Sequence, residues 1–382
     1  MPGRALVVVL GDLDRSPRMQ RQAASLARAG WVVEMIGFGE WEQEGVAVRR
    51  IASFDRLRGR RLLTFVSMAA MRQAALVVAL GWALLRTPRP SVILAAIPPA
   101  LPTLPLLLIA ARRWRARLIL DWHNLTGAML SLRPGGRLLA GVARRLETRL
   151  ARHASAHLAV SQEMAGYLSA NGLAPVTILP DRAPAAFRPA ETLRPDAPTV
   201  IAPTGWSADE AVEMLPEVAT LLDRRLAGRD AGVQISLLIT GKGERRAAIE
   251  AQLSGLRLQR VAVHTAWLPN DQYRQRLRAS VLGLSFHRSA SGLDLPMKIA
   301  EMLGSGVPVC AFDFGAVLRE QMRPGEEGCL FSTPAELAAL LDDLLGTWPE
   351  TPAIDRMAAA LRNRPFVAWE EQWDDTAAPL FG

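Results

Sequence analysis

Lys298 and Glu301 stand three residues apart in Pro296-Met297-Lys298-Ile299-Ala300-Glu301, a segment whose pattern predicts a helix over 297–304. Residues at that spacing share one helix face. An ammonium beside a helix N-terminus favours a diphosphate, and a carboxylate one turn later can accept two ribose hydroxyl protons. His287 and the stretch Ser289-Ala290-Ser291-Gly292-Leu293-Asp294-Leu295 precede the helix. Its small polar residues suit a loop that approaches a ligand closely. Gly241-Lys242-Gly243, after a predicted strand at 233–240, offers a second backbone that can approach phosphate, with a lysine to neutralise it. Lys/Glu pairs also decorate ordinary helices and Gly-Lys-Gly occurs in plain turns. The loop beside Lys298 favours the ligand-binding reading. His153, His157 and His264 read as structural.

The elements that must position these residues alternate. Branched and aliphatic runs at 5–10, 32–37, 46–51, 92–97, 118–121, 157–160 and 176–179 alternate with helical segments, and a second series occupies 199–203, 233–240, 261–265, 281–286, 307–311 and 328–331. Such alternation means parallel sheets with crossover helices. The first helix has a start signal, Ser16 to cap and Pro17 for the first turn, and Gly30 to close it. The expected fold is α/β, with two Rossmann-like doubly wound parallel-sheet domains facing a central cleft where ligand lies at the strand carboxyl ends. We expect a first domain at 1–180, a proline-rich linker at 181–198, a second domain at 199–350 and a segment at 351–382 packing back across the junction.

The chain has 382 residues, about half of them apolar, and a formal net charge of +8. Its two cysteines, Cys310 and Cys329, form no CxxC pair, which argues against a disulfide scaffold and a zinc site. Charge divides unevenly: 24 arginines, no lysine and 10 acids fall in 1–180, against 21 basic and 27 acidic residues beyond. Nucleic-acid readers interleave aromatics or carry a recognisable reading motif, and neither occurs here, so no nucleic-acid partner is expected. Instead Arg56, Arg58, Arg60 and Arg61 precede the apolar run 62–85, and Arg112, Arg113, Arg115 and Arg117 follow 91–111. That combination reads as a face for an anionic membrane. Arg72 and Gln73 interrupt the first run and four prolines break the second, so neither is expected to span a bilayer. Arg4 leads directly into the first strand, so no signal peptide is expected and the protein should stay on the cytoplasmic side.

A dinucleotide-dependent dehydrogenase would share the alternation, but the first strand is followed by Gly11-Asp12-Leu13-Asp14-Arg15 and lacks the required glycine spacing. That stretch with Ser16-Pro17-Arg18-Met19-Gln20, then Pro98-Pro99, Asp121-Trp122-His123-Asn124, Thr204-Gly205-Trp206 with Asp209-Glu210, Ile239-Thr240-Gly241-Lys242-Gly243, Ala266-Trp267-Leu268 and His287 through Lys298, resemble in order the chitobiosyldiphosphodolichol β-mannosyltransferases. The resemblance runs from residue 5 to about 331 and implies the two-domain GT-B fold of glycosyltransferases. It implies transfer of mannose from GDP-mannose, with inversion, onto a sugar linked through diphosphate to a polyprenol at the cytoplasmic face of the inner membrane.

Lys242, Lys298 and the helix start would then meet the diphosphate and Glu301 the ribose, so that no metal and no further cofactor is expected. Gly11, Arg15, Ser16, Gly241, Gly243, Trp267, His287, Ser291, Gly292, Asp294, Leu295 and Pro296 complete the expected donor contacts, with Asp294 facing the donor sugar. For the base, Asp12, Asp14 and His123 all lie at strand ends; Asp12 is the first choice and His123 a donor-sugar contact. Asp14 stands where the family has glycine, no amino-terminal anchor like that of eukaryotic members is expected, and the Ala/Arg/Leu-rich composition suggests a bacterial source making surface polysaccharide. The alternatives are a UDP-sugar-dependent glucosyl or glucuronosyl transferase of exopolysaccharide assembly, and, further off, a nucleotide-sugar epimerase or a silent sugar-nucleotide-binding subunit.

Overall fold

The computed structural model describes residues 3–52, 62–131, 136–189, 196–229 and 232–382, with side chains from Met71 onward in the helix Leu62–Arg86. Arg56, Arg58, Arg60 and Arg61, counted above toward a membrane face, lie outside the described residues. The chain divides into two compact units, Met1–Pro180 with Glu370–Gly382, and Asp181–Trp369. The stretch 181–198 thus groups with the second unit, and 351–382 is shared, its last thirteen residues joining the first.

Among the described residues the first unit holds seven strands: β1 (Arg4–Asp12), β2 (Val32–Phe38), β3 (Val46–Arg50), β4 (Val92–Ile97), β5 (Arg117–Trp122), β6 (Ala156–Ala159) and β7 (Val176–Ile178). All pair in parallel, in the order β3-β2-β1-β4-β5-β6-β7. Helices cover both faces of such a sheet, and this is why its central strands are uninterrupted apolar runs. Leu6, Val7, Val8, Ile93, Ile119 and Leu120 are fully buried. Pro17 opens the first helix, Pro17–Arg28, and Gly30 follows its end at φ +85°. Ser16 occupies the cap position as expected, but its side chain makes no capping hydrogen bond. The hydroxyl donates backward to the Asp12 carbonyl at 2.8 Å, because the 3-10 turn Leu13–Arg15 folds that carbonyl against it.

Six strands form the second unit: β8 (Thr199–Pro203), β9 (Ile235–Thr240), β10 (Val261–Ala266), β11 (Leu282–Ser285), β12 (Val309–Phe312) and β13 (Gly328–Phe331). They too are all parallel, in the order β10-β9-β8-β11-β12-β13. Val200, Ile201, Leu282, Val309 and Cys310 are buried in the middle of this sheet. Chain order reverses between β1 and β4 in one sheet and between β8 and β11 in the other. Gly283 in β11 lets the helix Met297–Gly304 lie close to the sheet, since a Cβ there would overlap the Met302 sulfur. The helix that carries Lys298 and Glu301 is seated in this way.

Candidate active site

In the second unit the polar chemistry gathers where chain order reverses. Past β8 the chain turns through Thr204, Gly205 and Trp206 to Glu210; past β11 it runs from His287 to the helix Met297–Gly304. Ligands of open α/β sheets lie outside the strand carboxyl ends at such a point. Lys298 Nζ donates to Glu210 Oε1 at 2.6 Å, while the Thr204 hydroxyl donates to Glu210 Oε2 and accepts the Trp206 N–H at 3.0 Å. Burial alone would raise the Glu210 carboxyl. The Lys298 ammonium, the Thr204 hydroxyl and the Gly205 N–H outweigh it and hold that carboxyl below its usual range. Glu210 is therefore an anion, and it fixes an ammonium that is still 34% exposed. Among the described residues Lys298 makes no other hydrogen bond, so its remaining donors face outward.

Glu301, one turn on, has its own partner: the Tyr273 hydroxyl, from the helix Asn270–Arg278, donates to Glu301 Oε2 at 3.2 Å. The start of the helix is pinned by Gln321, whose amide donates to the Pro296 carbonyl at 3.1 Å. Asp294 is 5% exposed and accepts from His287 Nε2 at 2.8 Å and from the hydroxyls of Ser289 and Ser291. Those bonds overcome the effect of burial and keep its carboxyl below the usual aspartate range, so the proton shared with His287 sits on Nε2. The Asp294 carboxylate thus organises its own loop. Ser289 Oγ also accepts the Gly292 N–H at 2.7 Å, and Gly292 takes the left-handed φ of +71° that a side chain disfavours.

Gly241 and Gly243 have a structural reason to be glycine. A Cβ on Gly241, at φ +123°, would overlap the Thr204 carbonyl oxygen, and one on Gly243 the carbonyl of Gly205. The loop after β9 is thus laid backbone to backbone on the loop that leads to Glu210, and Lys242 projects from it. Lys242 Nζ lies 3.6 Å from the centre of the Trp267 ring, which closes β10 and is half exposed. The cation is held by the ring face. Asp294, Leu295 and Pro296 are buried, whereas His287, Ser291, Gly292, Lys298 and Glu301 are partly open.

In the first unit, Gly11 and Asp12 end β1, Asp14 and Arg15 lie in the 3-10 turn and Ser16 opens the helix. Asp12 is exposed, and its Oδ1 accepts the Asp14 N–H at 3.2 Å. Gly39 lies beneath both carboxylates: at φ +86°, its Cβ would come within 2.6 Å of Asp12 Oδ1 and 3.4 Å of Asp14 Oδ2. His123 follows β5, its N–H donating to the Ile97 carbonyl at 3.2 Å. Asp12 and His123 belong to the same sheet edge, two strands apart, or about 10 Å at the usual strand spacing.

Three pairings escaped the sequence reading. Arg18 clasps the fully buried Asp121 through Nε and Nη2 at 2.8–3.0 Å, and Gln22 adds a bond at 3.1 Å. Gln22 in turn accepts from Trp373 Nε1 at 2.7 Å. Glu210, the buried partner of Lys298, is 88 residues from it in sequence. Thr126 donates through Oγ1 and N–H to the buried Glu147, at 2.5 and 3.2 Å. Burial pushes that carboxyl up to about 7 despite these bonds. Only the local stretches were visible in sequence; each partner lies tens of residues away.

Two family models cover most of the chain: a glycosyl transferase 4-like domain matches residues 16–182 and a glycosyl transferases group 1 domain residues 199–347. The UDP-glycosyltransferase TURAN of Arabidopsis thaliana is 30% identical over 99% of this chain and 97% of its own. The chitobiosyldiphosphodolichol β-mannosyltransferase of Eremothecium gossypii is 30% identical over 88% and 78%, and that of Mus musculus 28% over 99% and 89%. Among solved structures, a sucrose-phosphate synthase from Thermosynechococcus elongatus superposes with a TM-score of 0.68 at 16% identity, covering 100% and 98% of the two chains. Anabaena HepE in complex with UDP and glucose gives 0.65 at 16%, covering 97% and 98%. The paired parallel sheets and the two domain models define a glycosyltransferase of the GT-B class. Within that class the chain belongs to the family of the chitobiosyldiphosphodolichol β-mannosyltransferases.

Proposed function

We propose that this enzyme transfers mannose from GDP-mannose, with inversion, to a saccharide carried on a polyprenyl diphosphate at the cytoplasmic face of a membrane. The observation that carries the reading is Lys298, held by the buried Glu210 at the β8/β11 reversal in a chain whose relatives are named β-mannosyltransferases. Lys298, Lys242 and the first turn of the helix Met297–Gly304 take the donor diphosphate, and Glu301, oriented by Tyr273, takes the ribose. These cations offset the charge that develops as the nucleoside diphosphate leaves, so the residues call for no metal. Asp294, occupied with His287, Ser289 and Ser291, shapes the loop that meets the donor sugar. Asp12 is the base that takes the acceptor hydroxyl proton. Asp14 lies beside it over Gly39, and His123 contacts the donor sugar.

Membrane contact is supported by apolar residues left open beside arginines. Val78 and Leu85 on Leu62–Arg86, and Ile109 on the neighbouring helix Thr103–Trp114, are exposed, with Arg86, Arg112 and Arg113 nearby in sequence. No described helix is long and apolar enough to cross a membrane, so the contact is peripheral.

A second reading, transfer from a UDP-sugar, is favoured by the relative named as a UDP-glycosyltransferase. A thermal-shift panel of GDP-mannose, UDP-glucose, UDP-glucuronate and UDP-N-acetylglucosamine separates the two. Stabilisation by GDP-mannose alone supports the first, and stabilisation by a UDP-sugar alone replaces it with the second.

A further inference from the structure

The helix Gly136–Ala151 carries a feature outside the residues assigned to the transfer, and its reading rests on the proposed lipid-linked acceptor and membrane contact. Toward its C-terminal end, Arg144, Arg145, Thr148 and Arg149 line a surface pocket of about 770 Å³ together with Arg152, His153, Tyr167 and Asn171. Four guanidinium groups converge there. Among the described residues, no carboxylate forms an ion pair with any of them; Arg152 donates to the Asn171 carbonyl at 2.9 Å. The nearest acid on the helix, Glu147, is turned inward to Thr126 and pushed toward its neutral form by burial. A concave site with four uncompensated arginines attracts a multiply charged anion, and the planar guanidinium fork matches phosphate.

The other half of the helix says what that anion is attached to. Leu138 and Val142 lie on the same helical face as Arg145 and Arg149, because steps of three, four and seven residues return to one side, and Arg152 follows in the turn just past the helix end. Leu138 is 88% exposed and Val142 54%. From Leu138 to Arg149 the rise is about 16 Å, so an apolar track runs directly into the basic pocket. We propose that this face binds a phosphate-bearing lipid, the phosphate or diphosphate seated among Arg145, Arg149 and Arg152 and the chain lying along Leu138 and Val142. An anionic phospholipid and an isoprenyl diphosphate share that chemistry.

Calorimetric titration with farnesyl diphosphate and with inorganic pyrophosphate tests the site. Arg145→Gln/Arg149→Gln weakens both ligands by about tenfold or more, as expected for the loss of charge-assisted hydrogen bonds. Leu138→Ser/Val142→Ser weakens farnesyl diphosphate alone. Arg276→Gln/Arg319→Gln, which removes equal charge from the second unit, leaves both within about twofold. Unchanged binding in the first variant, an equal loss in the third, or a second variant that treats the two ligands alike overturns the proposal. Sedimentation with phosphatidylcholine vesicles, with and without one-fifth phosphatidylglycerol, then assigns the source. Loss of anionic-vesicle binding in the first variant marks a phospholipid site; vesicle binding retained while farnesyl diphosphate binding is lost marks an isoprenyl diphosphate site.

Discussion

At the scale of single residues, the pairing of Lys298 with a buried anion changes what a substitution does. An isolated surface lysine could be removed without effect on stability. Here Lys298→Ala strands the Glu210 carboxylate, which is 5% exposed, so the melting temperature falls along with nucleotide affinity. The expected loss of affinity is about 1.5–3 kcal/mol, the range for hydrogen bonds to charged groups. Adding Glu210→Gln to Lys298→Ala restores the melting temperature and leaves nucleotide binding weak; calorimetry and thermal unfolding read the two effects separately. If the double variant also recovers affinity, Lys298 does not touch the nucleotide. Glu147 makes a pH prediction of its own. Its carboxyl is raised from 4.5 to about 7 in the folded chain, so its protonated form is the one the fold prefers. The stability it contributes is complete below the unfolded value and is lost as pH rises toward 7, by at most about 3 kcal/mol. Glu147→Gln keeps an acceptor for Thr126 and removes that slope. Unfolding by denaturant at pH 4 finds variant and wild type closest in stability, and at pH 8 the variant more stable.

At the scale of elements, nearly every strand was legible because both faces of a parallel sheet are covered and its strands are apolar throughout. β4 and β13 fall where the sequence puts them, and the helix Met297–Gly304 begins and ends as its pattern indicates. What sequence reading could not supply is contact between distant loops. Glu210 and Lys298 are 88 residues apart, and Arg18 and Asp121 are 103 apart; periodicity within a segment carries no information about such partners. The glycines of Gly241-Lys242-Gly243 show the difference. Their type suits approach to phosphate, and the structure gives each a prior duty, allowing the loop after β9 to lie on the backbone of Thr204 and Gly205. Gly241→Ala therefore displaces the turn that leads to Glu210 as well as the Lys242 loop. The left-handed φ and the overlap with the Thr204 carbonyl together cost about 1–3 kcal/mol of stability and weaken nucleotide binding. Normal stability and affinity in that variant would show that the two loops are independent.

At the scale of the whole chain, the division that composition announced is a division of chemistry. Residues 1–180 contain 24 arginines and no lysine, and the open apolar residues Val78, Leu85 and Ile109, with Leu138 and Val142, lie on helices of the first unit. The two lysines proposed for the diphosphate, Lys242 and Lys298, and the carboxylate proposed for the ribose, Glu301, all belong to the second. Separate sheets with separate cores can hold separate tasks, because a change at the carboxyl edge of one leaves the register and packing of the other intact. Asp12 supplies the test. It is exposed at the end of β1, joined to Asp14 by a single bond to the backbone, and far in sequence from Lys242, Lys298 and Glu301. Asp12→Asn preserves the shape and the acceptor for the Asp14 N–H while removing the base. Donor affinity should stay within a small factor, and turnover should fall by about 100-fold or more, the usual contribution of a positioned base. Gly39→Ala should act in the same direction by pushing the Asp12 carboxylate from its seat. Steady-state kinetics with the donor varied checks both. Near-normal turnover in Asp12→Asn, with loss of turnover in Asp14→Asn or His123→Ala, moves the base to one of those residues, and an α-linked product would overturn inversion itself.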